Sequence, residues 1–201
     1  MKKILIFLIF LLSQYSYSFA QTSKGKSNVF LDLGKIDYTP PLGYFEIKEN
    51  IAFQRTSNNK TNVMFSILKN VDKNIVIGIC AIPHFKLSEL TVKIINDFYG
   101  KRVDPNASYL NRMRMEADSA INSPVLLKND DLKRINADKG YIYPLRMDNL
   151  FLEKYSRCRI LIIHKEDVSD AQVFFFYNEE NEKIIFKEIE KQLDMLRFKI
   201  E

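Results

Sequence analysis

Two segments near the C-terminus, YSRCRILIIHK (Tyr155–Lys165) and AQVFFFY (Ala171–Tyr177), are rich in branched and aromatic residues and are separated only by the polar run Glu166–Asp170. Such a pair reads as an antiparallel hairpin. Consecutive strand residues point to opposite faces, so Phe174-Phe175-Phe176-Tyr177 feeds two apolar layers at once. A helix is expected next, from about Glu179 to Asp194, because Ile185, Phe186, Ile189 and Leu193 fall on one face. Leu196, Phe198 and Ile200 then alternate with Arg197, Lys199 and Glu201, the pattern of a half-buried terminal strand.

The N-terminal third also reads as strands. Tyr44–Ile47 follows the Pro40-Pro41-Leu42-Gly43 turn, Ile51–Gln54 comes next, and Asn62–Leu68 and Asn74–Ile82 flank a hairpin loop at Lys69–Lys73. In Asn74–Ile82 both alternating sets are apolar or small, which places helices on at least one side of the sheet. Two helices are expected in the middle. One starts at Ser88, a good N-cap, carries Leu87, Leu90, Ile94 and Phe98, and stops at Gly100. The other runs from about Ala107 to Asn122, with Pro124 forbidding continuation. Strands are expected at Leu132–Ile135 and Lys139–Leu145. Runs of strands and helices segregated in this way predict an α+β fold, an antiparallel β-sheet flanked by helices, rather than a doubly wound parallel sheet. Residues 21–28 (QTSKGKSN) read as a flexible lead-in, and residues 29–201 as a single domain.

The early Pro41-Leu42-Gly43-Tyr44 and the closing unit ILIIHKEDVSDAQVFFFY, NEKIIFKEIEKQLDML and LRFKI resemble the PsbP/Mog-type α/β/α sandwich. That fold occurs in small exported or lipid-anchored bacterial proteins and in plastid lumen proteins. The resemblance is architectural and spans most of residues 29–201. It implies a non-catalytic binding or accessory protein, and it carries over no metal-binding or partner-binding residue.

The first twenty residues predict export. Lys2 and Lys3 precede the apolar run Ile4–Leu12, and Ser18-Phe19-Ala20 presents small residues at −3 and −1, so residues 1–20 read as a signal peptide cleaved between Ala20 and Gln21. Nine apolar residues fall short of the about 20 needed to cross a bilayer. Gln21 is not the cysteine that lipid anchoring after the cut would require, and no later apolar run reaches spanning length. The expected destination is the periplasm or the extracellular medium. Of 201 residues, 46% are hydrophobic and 27% charged, ordinary for a chain with a sizeable core. Loss of Lys2 and Lys3 with the leader lowers the formal charge from +5 to +3. Acids and bases are interleaved throughout, with no basic stripe for nucleic acid and no basic amphipathic helix for a membrane surface.

Few residues suggest chemistry. Cys80 and Cys158 fall in predicted strands of an exported chain, where a disulfide is permitted; two buried unpaired thiols are the alternative. Each is trailed by a histidine, Cys80 by His84 and Cys158 by His164. Six positions along a strand span about 20 Å, so Cys158 and His164 cannot share one ion, and a catalytic cysteine–histidine pair would have to form across strands, as between Cys80 and His164. Arg157 and Arg159 share a strand face and are candidates for binding an anion. The carboxylates of Asp130-Asp131 and of Glu166-Asp167-Asp170 look like solvated loop residues, and those of Glu179-Glu180-Glu182 like the start of a helix. There is no G-x-S-x-G elbow, no P-loop, no H-E-x-x-H and no C-x-x-C. No catalytic, metal or cofactor set is recognisable, and no cofactor is expected. The sequence therefore predicts an exported, non-enzymatic binding or accessory protein of the cell envelope with an unknown protein or small-molecule partner. The alternative is a small exported hydrolase using Cys80 or Cys158 with His164.

Overall fold

The computed structural model describes residues 29–57, 60–84, 97, 104–117 and 124–200. The chain opens with a short helix α1 (29–33) and strands β1 (Ile36–Tyr38), β2 (Phe45–Gln54), β3 (Thr61–Asn70) and β4 (Ile75–Pro83). Helix α2 (Ser108–Glu116), strand β5 (Val125–Leu126), helix α3 (Asn129–Arg134) and strands β6 (Lys139–Pro144), β7 (Arg157–Lys165) and β8 (Ser169–Tyr177) follow. Helix α4 (Ile185–Lys191) and strand β9 (Leu196–Phe198) close the chain. Seven strands form an antiparallel sheet in the order β2-β3-β4-β8-β7-β6-β5, and β1 pairs with β9 in a separate ribbon. The class is α+β.

Strand β8 sits at the centre and is buried at every position. Its alternation divides the core. Val173, Phe175 and Tyr177 pack with Ile185, Ile189 and Leu193 of the α4 region, with Leu31 of α1 and Leu132 of α3, and with Ile36 and Phe198 of the ribbon. Phe174 and Phe176 face the other way, towards Tyr109 and Met113 of α2. Both faces of the central strands are therefore covered, which is why β4, β7 and β8 read as almost continuous apolar runs. Each fully buried Phe or Ile contributes about 1.5–3 kcal/mol of transfer free energy. Among the described residues no helix is long and apolar enough to cross a membrane.

Several local expectations are corrected. Leu132–Ile135 is not a strand: Asp130 and Asp131 lie in the first turn of α3, and Lys133 and Arg134 in its last, matching the helix dipole at both ends. The helix expected to reach Asn122 ends at Glu116, because Ala117 turns extended and bridges to Leu145. The last helix is broken into a 3-10 turn at Glu179–Asn181, then α4, then a second 3-10 turn at Leu193–Met195. The segments expected at Tyr44–Ile47 and Ile51–Gln54 form one strand that begins at Phe45, with a bulge between Glu46 and Lys48. The terminal strand pairs with β1 rather than joining the main sheet. The helix expected from Ser88, apart from the helical residue 97, and the signal peptide and lead-in of residues 1–28 lie outside the described residues.

Helix α4 carries a buried carboxylate that makes stability depend on acid. Glu188 accepts from Tyr44 Oη at 3.1 Å and Gln192 Nε2 at 2.9 Å, and is ion-paired with Lys73. Burial pushes its carboxyl up, but the hydrogen bonds from Lys73 and Gln192 and the Lys73 charge outweigh burial and hold it below the usual 4.5. Unfolded Glu188 takes up its proton at a higher pH than folded Glu188. Its contribution is thus complete above about pH 4.5 and is lost as the pH falls through the folded value. The urea midpoint should fall in that acid range, and Glu188→Gln should lack part of the fall; equally steep curves for both proteins would count against the assignment.

Candidate functional site

The register of the central strands brings two imidazoles and a carboxylate together. Asp170, the second residue of β8, lies opposite Ile82 of β4 on one side and His164 of β7 on the other. His84 lies just beyond β4, and its backbone N–H donates to Val168 O at 2.9 Å, so the ladder continues one step past the strand. His84, His164 and Asp170 share the sheet parity of Gln172, Phe174 and Phe176, and so belong to the face that α2 covers.

His164 Nδ1 is 2.7 Å from Asp170 Oδ1, and His84 Nε2 is 3.3 Å from the same oxygen. The other carboxylate oxygen accepts from Ser108 Oγ at 2.7 Å. The side chains of Asp170, His164 and His84 are 0%, 5% and 7% exposed. Tyr109 stacks on the His164 ring with centroids 4.4 Å apart and planes at 23°, and Tyr141 stacks behind Tyr109 at 6.1 Å. The start of α2 is held in place from outside. Asp104 accepts from the Asn106 N–H, and the Asn106 side chain both donates to Asp167 Oδ1 and accepts the Asp167 N–H at the β7–β8 turn. This clamp carries Ser108 and Tyr109 over the site. Neither ring nitrogen of His84 has a hydrogen-bond partner among the described residues.

The cysteines stand apart from this cluster. The candidate disulfide between Cys80 and Cys158 is not formed, and both thiols are free. Cys80 lies opposite Gln172 and Cys158 opposite Phe176, on either side of β8 and four residues out of step. That offset alone is about 13 Å along a strand, against the roughly 7 Å between Cα atoms that a bridge tolerates. Cys80 and His164 are two strand spacings apart across the sheet, about 9.5 Å, and two residues out of step along it, about a further 6.6 Å. Burial pushes the Cys80 thiol up to about 11, against a lowering by Arg112 and a further raising by Glu116. Burial likewise holds Cys158 well above the ordinary thiol value. Both sulfurs are protonated at neutral pH.

A second buried polar cluster lies on the same face. Glu116, 4% exposed, accepts from Asn62 Nδ2 at 2.8 Å, Tyr143 Oη at 2.7 Å and Gln172 Nε2 at 2.7 Å. Arg157 and Arg159 sit at the opposite end of β7 and face the other layer. Arg159 donates to Glu182 at 2.7 Å and lies 4.3 Å over the Phe186 ring, while Arg157 reaches Glu182 at 3.1 Å and Glu179 at 3.0 Å. They border a cavity of about 220 Å³ with Pro144, Met147 and Tyr177. Their charges are answered within the chain by Glu179 and Glu182.

Sequence reasoning missed Asp170, which was assigned to a solvated loop. The loop is only three residues long, Glu166–Val168, so His164 and Asp170 are register partners. A histidine and an aspartate six positions apart, flanking a tight turn between apolar strands, are the signal that would have found them.

No family model matches the chain, and no curated protein matches it. Among solved structures it is similar to the solution structure of cyanobacterial PsbP (CyanoP) from Synechocystis sp. PCC 6803, at 10% sequence identity and a TM-score of 0.40, over 83% of this chain and 88% of that one.

Proposed function

We propose that this chain is a non-enzymatic binding or accessory module that acts after export, in the cell envelope or beyond it. The observation that carries the reading is the convergence of His84, His164 and Ser108 on the buried Asp170 carboxylate. A serine nucleophile must pass its proton to an imidazole that a carboxylate orients. Here Ser108 donates to the carboxylate itself, at 2.7 Å. A thiol nucleophile needs thiolate character, and both sulfurs are held in the protonated form away from His164. The polar groups are arranged to hold a ligand rather than to attack one. Export rests on the leader of Lys2-Lys3, Ile4–Leu12 and Ser18-Phe19-Ala20.

Two measurements on the protein secreted from a full-length gene test the proposal. The intact mass should correspond to a chain beginning at Gln21, and a product retaining Met1 inside the cell would overturn export. Iodoacetamide at neutral pH should label native Cys80 about 100-fold more slowly than the unfolded chain, the ratio of thiolate fractions for a thiol moved from 9.0 to about 11. Rapid native alkylation, or robust turnover in hydrolase screens, would favour a thiol hydrolase using Cys80 or Cys158 with His164.

A further inference from the structure

We infer that His84, His164 and Asp170 form a binding site for one divalent transition-metal ion of the zinc class. The inference rests on the reading of the chain as a binding module and names what that module binds.

Three donor atoms, one from each residue, lie within 4.8 Å of one another. Two imidazole nitrogens and a carboxylate oxygen suit zinc and its neighbours rather than calcium or magnesium, which prefer all-oxygen sets. The spacing fits as well as the donor types. Bonds of about 2.0–2.1 Å in tetrahedral geometry separate adjacent donors by about 3.3 Å. His84 Nε2 already stands 3.3 Å from Asp170 Oδ1. The 2.7 Å approach of His164 Nδ1 to that oxygen is a hydrogen-bond distance, and it needs to open by about 0.6 Å to admit an ion.

Hydrogen bonding accounts for His164 but not for His84. The His84 side chain is 7% exposed, and neither of its ring nitrogens finds a partner among the described residues. Buried polar atoms are nearly always satisfied. An ion shared with Asp170 and His164 supplies that partner and balances a carboxylate with no exposure to water. The surroundings have the form of outer-shell support. Ser108 fixes the far oxygen of Asp170, and the Tyr109 ring lies flat against His164 and holds its orientation. Three protein donors leave a fourth position for water or a small ligand.

The test uses the metal-stripped mature chain with cobalt(II) and zinc(II). Cobalt should bind at one equivalent with the visible ligand-field absorption of a four-coordinate site, and zinc should displace it. His84→Ala is the informative variant, because among the described residues the ring approaches only Asp170 at 3.3 Å and the His164 ring at 5.6 Å and makes no hydrogen bond, and circular dichroism would verify that the fold survives its removal. It should weaken zinc binding by at least about 10-fold, and Asp170→Asn should do the same. Absence of uptake by the folded wild-type chain, or wild-type affinity in His84→Ala, would overturn the site. Either result leaves the non-enzymatic reading standing, whereas substrate turnover would remove that reading without bearing on metal uptake.

Discussion

Replacing Glu116 with alanine is expected to destabilise the protein by about 3–5 kcal/mol, the range for breaking a buried charged network by removing one member. The carboxylate accepts from Asn62, Tyr143 and Gln172, which come from three different strands, β3, β6 and β8. Truncation leaves Asn62 and Tyr143 without the acceptor they donate to, while Gln172 keeps its bond to Tyr143 Oη at 3.1 Å, and each buried orphan costs about 1–3 kcal/mol. Glu116→Gln keeps the shape and one acceptor, so it should cost clearly less. Urea denaturation measures both, as a fall in midpoint at unchanged slope. Because the Glu116 charge raises the Cys80 thiol, the alanine variant should also be alkylated faster in its native state. A loss under about 1 kcal/mol would mean that the network is not closed as described.

Phe176→Ala should cost a similar amount, about 3–5 kcal/mol. The ring is fully buried in β8, stacks on Phe151 with centroids 3.7 Å apart, and meets Phe53 edge-on at 5.7 Å. Those partners come from separate parts of the chain, a loop after β6 and the end of β2, so the space left behind cannot be closed by the movement of one element. With a domain stability of about 5–15 kcal/mol, the variant should be folded only marginally at room temperature. A change in thermal midpoint of only a degree or two would show that the second apolar layer relaxes around the gap.

The hairpin of β7 and β8 was legible because branched and aromatic residues alternate across a short polar run, and the two-layer role of Phe174–Tyr177 followed from strand parity alone. The fold class followed from the order of elements. What was not legible depended on partners distant in sequence. Leu132 and Ile135 look strand-like by residue type, yet Asp130 and Asp131 in the first turn and Lys133 and Arg134 in the last complement the dipole of a helix there. The final strand was legible from its alternation but its partner was not, because β1 is a three-residue strand with no sequence signature of its own. The site escaped for the same reason. His84 and His164 were weighed against the cysteines that precede them in sequence, whereas the register pairs His164 with Asp170 and places His84 one ladder step beyond. An aspartate beside a turn looks solvated until the sheet it enters is known to be covered on both faces.

The central claim is that strand register brings His84, His164 and Asp170 together as the donors of the proposed metal site. Anomalous diffraction at the zinc edge from crystals of the protein grown with zinc examines it most directly. The account predicts one strong peak bonded to all three side chains at about 2.0–2.1 Å, with Ser108 still held on the far oxygen of Asp170. Density showing the three side chains unchanged, with zinc only elsewhere on the surface, would contradict it.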